Sequence, residues 1–306
     1  MPFRQAFGRA PPSLTPLVSD FQPLPGQNPS TLGRRGICNN GILIVERRRD
    51  RKKCVEKRIK PQLVLDGSAR LEITILRELS HPNICEYIDA FLDENPRRPG
   101  ATLYMEYCEL GTLDDILQKY LQRRKRVPEG AVWGIFMQLI RALGYCQLGI
   151  RDVIRREERP RRGWVGLVHQ DLKPDNVFLS GCSSEGFPRV VLGDFGCATR
   201  DEYNGFEGDP PETPSLGYHT DIWLLGAVMQ SVCRLDGPLG SGYDAFEGEG
   251  GRRYRGAGKH YSPQLNLALD MCVDTDTNHR MDIDRFGPYL CDLWIQAGRP
   301  ISVLDP

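Results

Sequence analysis

The 306-residue chain reads as an α+β protein in which a small strand-rich unit precedes a larger, mainly helical one. Two features of the apolar pattern carry this. Up to about Tyr107 the apolar residues come in short runs split by charged or polar turns, as strands do; beyond Gly111 they recur at helical spacing. Length agrees, since roughly 100–200 residues per domain leaves room for two units that each bury a core.

In chain order, residues 1–30 mix prolines with Ser, Gln and Gly and follow neither a two-residue nor a 3.6-residue period, so a flexible tail is expected. The strand-rich unit spans 31–107. From Gly36, GICNNGILIVERRRDRKKCVEKRI predicts two strands joined by a charged hairpin at Arg47–Lys53. Asp66 and Ser68 are placed to cap a helix with Leu71, Ile75, Leu76 and Leu79 on one face, ending before His81-Pro82. A second strand pair follows around ICEYIDAF and ATLYMEYC, with a polar turn at 93–100. The helical unit spans 108–300. Val132, Phe136, Leu139, Ile140 and Leu143 mark its long helix, and the charged, aperiodic stretch 148–167 is expected to be an inserted surface loop. A change of texture near Tyr107–Gly111 is a natural place for a ligand site, because such sites favour domain interfaces.

Composition removes several classes. Forty Lys+Arg balance forty Asp+Glu, so no polyanionic partner such as nucleic acid is expected. Ten scattered cysteines form no C-x-x-C and no metal-ligand cluster; they read as reduced thiols of a cytoplasmic or nuclear protein. No apolar run reaches the roughly 20 residues of a membrane span. The basic runs 122–126, 155–163 and 252–255 are more simply solvated faces than docking patches, and Glu157 and Glu158 dilute the second.

The chemistry concentrates in VHQDLKPDNVFL at 168–179 and VVLGDFG at 190–196. Asp171, Lys173 and Asn176 put a carboxylate, an ammonium and a carboxamide on one loop, and Asp194 ends an apolar strand. Phosphoryl transfer needs this set: a carboxylate to align and deprotonate a hydroxyl, oxygen ligands for a hard cation, and a cation to offset charge on the transferred group.

With HQDLKPDN and DFG in order, residues 33–295 resemble a eukaryotic protein kinase of serine/threonine type, and the resemblance implies the bilobal protein kinase fold. It implies ATP and Mg²⁺ as cofactors and a protein Ser/Thr hydroxyl as substrate. By that resemblance Asp171 is the catalytic base, Lys173 steadies the γ-phosphate, and Asn176 and Asp194 hold the metal. Lys57, in CVEK, takes the place of the lysine that meets the α/β-phosphates, and Glu72 that of its helix partner. Gly36 and Gly41 match two glycines of the phosphate loop, with Cys38 in place of the middle one; Lys57 follows Gly41 by 16 residues. Glu106 to Cys108 offer backbone groups to adenine, Met105 takes the gatekeeper position, and Leu43, Val55 and Phe178 sandwich the ring. Leu76, Tyr87, His169 and Phe195 match the stacked spine, Asp221 begins D-x-W-x-x-G, and Pro210-Pro211-Glu212 with Arg280 matches a structural ion pair. HPNI, CEY and NVFL point toward the NIMA-related (NEK) branch and the divergent fungal kinases near it.

Besides Cys38, two positions and one segment depart from the pattern. Gln170 replaces the arginine that binds a phosphate on the activation loop, Gly205 replaces a threonine near the catalytic pair, and the loop itself is short, with Thr199 and Tyr203 as its hydroxyls. Activity independent of loop phosphorylation is therefore expected. The alternative these departures raise is a pseudokinase acting as a nucleotide-binding scaffold, against which stands the presence of all six of Lys57, Glu72, Asp171, Lys173, Asn176 and Asp194. Cys197, next to DFG, reads as a small packed residue rather than a reactive thiol.

Overall fold

A computed structural model describes residues 20–25, 39–182, 187–200, 217–235, 256–274, 280–299 and 304. The chain divides into two compact units, one of Met1–Glu78 with Glu86–Tyr107, the other of Leu79–Cys85 with Cys108–Pro306.

The first unit is an antiparallel sheet in the order β1-β2-β3-β5-β4, formed by β1 (Phe21–Pro23), β2 (Asn39–Arg47), β3 (Lys53–Ile59), β4 (Tyr87–Asp93) and β5 (Gly100–Glu106). The β2–β3 hairpin turns where sequence placed it, with Arg51 at φ 62° and the Asp50 carboxylate accepting from Arg47 Nε at 2.9 Å. Two helices follow β3: α1 (Pro61–Leu65), opened by a proline whose missing N–H costs nothing there, and α2 (Ser68–Glu78). Asp66 Oδ1 accepts from the Ser68 N–H at 2.9 Å, as the capping pattern predicts. Of the face expected for α2, Ile75, Leu76 and Leu79 are buried and Leu71 is not. Ala69, Glu72 and Ile73 are inside as well.

A larger correction concerns the tail. Phe21–Pro23 pairs with Val45–Arg47 as an edge strand, and the Phe21 ring stacks on Tyr104 with centroids 3.9 Å apart and an interplanar angle of 8°. Phe21, Leu43, Val45, Cys54 and Tyr104 form one apolar cluster on one face of the sheet. No sequence period announces this strand because three residues are too few to show one; the ring that Phe21 meets decides it.

In the second unit, α4 (Glu129–Leu148) is the central helix, and Val132, Phe136, Leu139, Ile140 and Leu143 are all fully buried. Around it stand β6 (Gly111–Thr112), α3 (Leu113–Gln122) with a Thr112/Asp115 capping box, β7 (Leu167–Val168), β8 (Val177–Cys182), β9 (Pro188–Leu192), β10 (Thr199–Arg200), α5 (Tyr218–Arg234), α6 (Pro263–Cys272) and α7 (Ile283–Gln296). β6, β8 and β9 form one small sheet and β7 with β10 another. The HPNI segment belongs here: Leu192 N donates to Asn83 O and Cys85 N to Leu192 O, and Asn83 Nδ2 reaches Gln138 Oε1 and Val190 O. These bonds fix the strand that leads into Asp194. No described helix is long and apolar enough to cross a membrane.

Candidate active site

The loop between β7 and β8 is held from below by a buried carboxylate. Asp221, on α5 and 0% exposed, accepts from the His169 N–H at 2.7 Å and the Gln170 N–H at 2.9 Å. Burial pushes its pKa up, and these bonds oppose the shift. Gln170 stands at φ 66°, a left-handed conformation that costs a non-glycine residue about 1–2 kcal/mol and persists because both neighbouring amides are tied down. His169 closes the frame. Its Nε2 lies 3.1 Å from Gly193 O, its Nδ1 takes the Asp171 N–H at 3.3 Å, and its ring meets Phe195 edge-on at 4.8 Å.

On this frame the predicted groups of the loop come together. Lys173 Nζ lies 2.9 and 2.8 Å from the two Asp171 carboxylate oxygens, and Asn176 Nδ2 donates at 2.8 Å to both Asp171 Oδ2 and Asp171 O. Pro174 starts a short 3₁₀ turn over Pro174–Asn176 that carries the amide back to Asp171. Burial acts to lower the Lys173 pKa, but the Asp171 carboxylate, with Asp194 and Asp175 nearby, outweighs it and holds the ammonium charged. Asp194 is left-handed at φ 59°, immediately before the 3₁₀ turn Phe195–Cys197, and Phe195 is buried. Phe178, on β8, lies so close to Gly193 that an added Cβ there would sit 2.8 Å from its ring. Cys197 is exposed rather than packed.

In the strand-rich unit, Lys57 Nζ and Glu72 Oε1 are 2.7 Å apart with side chains only 5% and 4% exposed. Lys57 stands opposite Ile42 and Leu103 on its neighbouring strands, and Val55 opposite Ile44 and Met105. Alternate residues share a face, so Val55 lies on the Lys57 side. Leu43 does not. Its partner is Glu56, and it is buried in the Phe21–Tyr104 cluster on the other face, which corrects its assignment to the adenine sandwich; Ile42 and Ile44 occupy the Lys57 face instead. The face follows from the hairpin register, which pairs Glu46 with Lys53, Val45 with Cys54 and so Leu43 with Glu56; the irregularity at Asn39/Gly41, where Gly41 takes φ 141°, lies beyond Leu43. Glu106 spends its backbone N–H on Glu86 O at 3.0 Å, and its carboxylate accepts from Glu86 N at 2.8 Å. Gly36, Cys38, Tyr203, Gly205 and Pro210–Glu212 lie outside the described residues. Arg280, matched by sequence to Glu212, donates to Asp274 O and His219 O.

A hard cation suits the donors on the loop. Nδ2 of Asn176 is committed to Asp171, and among the described residues no hydrogen bond engages its Oδ1, so that oxygen and the Asp194 carboxylate are donors of the kind a hard cation takes. Among the described residues no three His, Cys, Asp or Glu side chains cluster as a self-contained metal cage. Mg²⁺ does not require one, since it is commonly held by one or two protein oxygens together with substrate phosphates.

The family model described as "Protein kinase domain" matches residues 33–242. The chain belongs to the protein kinase family. Among its relatives, human "Serine/threonine-protein kinase Nek2" is 33% identical over 241 residues, covering 72% of this chain and 49% of the relative. "G2-specific protein kinase fin1" of Schizosaccharomyces pombe is 31% identical over 236 residues, covering 68% and 30%. "G2-specific protein kinase nim-1" of Neurospora crassa is 32% identical over 189 residues, covering 55% and 21%. The NIMA-related character read from HPNI and NVFL agrees with these names. The chain spans about half or less of the length of these relatives.

Two contacts of this kinase domain were not visible in its sequence. One is the Asp221 anchor, which joins positions 51 and 52 residues apart. The other pairs two residues singled out separately: Gln170 Nε2 donates to Thr199 Oγ1 at 2.5 Å, where β7 pairs with β10. A phosphate-binding arginine is thus replaced by a neutral amide already bonded to a loop hydroxyl.

Proposed function

We propose that the chain is a protein serine/threonine kinase that transfers the γ-phosphoryl group of ATP to a protein hydroxyl with Mg²⁺, without prior phosphorylation of its activation loop. The observation that carries the reading is the Asp171 carboxylate, fixed by Lys173 and Asn176 on a loop whose backbone is anchored to Asp221. Asp171 orients the substrate hydroxyl and accepts its proton as the oxygen attacks. Lys173 stays charged beside it and offsets negative charge on the group in transfer. Lys57, held by Glu72, supplies a second cation for the α/β-phosphates. Val55 and Phe178 provide apolar contact to adenine, the Glu106 carbonyl and Cys108 backbone its polar recognition, and Gly41 close backbone approach to phosphate. Mg²⁺, when held by Asn176 and Asp194, supplies charge neutralisation across the phosphates.

Loop independence is supported by the Gln170–Thr199 hydrogen bond, which ties the loop to the catalytic segment without any charge. Purified chain with γ-labelled ATP, Mg²⁺ and a mixed protein substrate is expected to yield phosphoserine or phosphothreonine while Thr199 and Tyr203 stay unmodified by mass spectrometry. Stoichiometric phosphate on either residue that raises turnover would remove the loop claim. Silence of the wild type, with nucleotide still bound, would favour the scaffold reading instead.

A further inference from the structure

The stretch inserted between α4 and β7 is a surface loop without helix or strand, and it is fastened to α4 and α7 at several points. Val153 is 2% exposed and sits where α4 and α7 each contribute a glycine: a Cβ added at Gly144 or Gly287 would lie 2.5 Å from Val153 Cβ or 2.7 Å from Val153 O. Asp152 bonds Arg141 on α4 at 2.8 Å, and its own N–H goes to Glu158 Oε2 at 3.1 Å. Farther on, Arg161 N donates to Leu148 O at 2.9 Å, and Trp164 Nε1 to Cys146 O at 2.9 Å. These bonds bring the two ends of the stretch together. Arg151 and Arg159 flank the Asp152–Glu158 contact, and Arg162 follows the Arg161 backbone, which is fastened beside Gly149.

The side chains divide by what they do. Three of the six arginines are engaged internally: Arg155 with Asp152, Arg156 with Asp292 on α7, and Arg161 over the Trp164 ring. Arg151, Arg159 and Arg162 are exposed and make no ion pair among the described residues. Of the three acids in the stretch, Asp152 and Glu158 are turned to internal partners and only Glu157 is left exposed without one. Arg151, Arg159 and Arg162 are thus the exposed cations of the stretch without an acidic partner, and Glu157 is its one exposed acid. This positive excess stands out on a chain whose Lys+Arg and Asp+Glu are equal at forty each.

We propose that this fastened loop docks an acidic peptide segment of a protein substrate, using Arg151, Arg159 and Arg162 as forked donors to carboxylates. Arginine suits this role because its planar fork matches a carboxylate bidentately, and a backbone already fixed loses little entropy on binding. The inference rests on the kinase reading for the word substrate only; the binding itself needs no catalysis, and its test is built on that difference. Docking away from the reacting hydroxyl raises the local concentration of a substrate that carries both segments.

The test compares the full chain with its Arg151→Ser/Arg159→Ser/Arg162→Ser variant, which leaves Asp152, Val153 and Trp164 in place. Anisotropy of a fluorescent peptide bearing eight consecutive glutamates is read at low and at physiological salt, beside a glutamine control and a labelled single-stranded oligonucleotide. Expected are binding of the glutamate peptide alone, roughly ten-fold weakening in the variant, and weakening with salt. The thermal midpoint and transfer to a short neutral peptide should not change. Equal affinity in wild type and variant would overturn the proposal, as would tighter binding of the oligonucleotide that the same variant abolishes. If the glutamate peptide binds as expected while no phosphate is transferred to any substrate, the docking surface stands and the catalytic reading falls.

Discussion

His81 is buried with both ring nitrogens engaged: Nδ1 accepts the Asn83 N–H at 3.1 Å, and Nε2 lies 2.9 Å from the Arg151 carbonyl. Only the neutral ring with its proton on Nε2 satisfies both. Burial accordingly lowers its pKa. The native state then binds this proton less readily than the unfolded chain, so the stability it contributes is present above the unfolded value of about 6.5 and is lost as pH falls toward the lower folded value. The thermal midpoint is expected to drop as the pH falls below about 6.5, and His81→Gln should flatten that slope; parallel profiles would show that His81 does not set it. Asp221→Ala makes a larger change, since it leaves the His169 and Gln170 amides buried without acceptors. A loss of about 2–5 kcal/mol in urea unfolding is expected, together with loss of phosphate transfer. At this scale the sequence was most informative where chemistry is contiguous, as in the eight residues HQDLKPDN. It was silent on the Asp221 anchor and on Gln170–Thr199, because such pairs are made by the fold and leave no local spacing to read.

Elements were legible in proportion to their length. The long α4 announced itself through five buried positions at helical spacing, whereas β1, three residues among prolines, had no period to show. Its place is set by Phe21 against Tyr104, and Phe21→Ala should cost about 3 kcal/mol, seen as a lower midpoint with a cooperative transition retained. An unchanged midpoint would mean that β1 contributes nothing. Leu43 illustrates a second limit. The hairpin pairs it with Glu56 and so places it on the face opposite Lys57, and this register of the turn is not given by alternation alone. The α4–insert junction offers a third test. Gly144→Ala would press a methyl group into Val153 and should cost about 1–3 kcal/mol, lifting the loop; Gly144→Ala combined with Val153→Ala should recover part of the loss.

For the molecule as a whole, the proposed reaction draws on two sets of residues, each with its own support. Lys57 and Glu72 form a buried pair within the strand-rich unit, and Asp171, Lys173 and Asn176 form a hydrogen-bonded loop within the helical one. Glu72→Gln removes the negative charge that Lys57 meets in this buried pair and should weaken nucleotide binding and destabilise its own unit. The role of Asp171 as base is tested by single-turnover phosphate transfer by wild type and Asp171→Asn at saturating ATP and Mg²⁺, with nucleotide affinity measured in parallel. Nucleotide affinity is expected to stay close to that of wild type and transfer to slow by about 10²–10⁴-fold. Equal transfer rates in the two proteins would contradict that role.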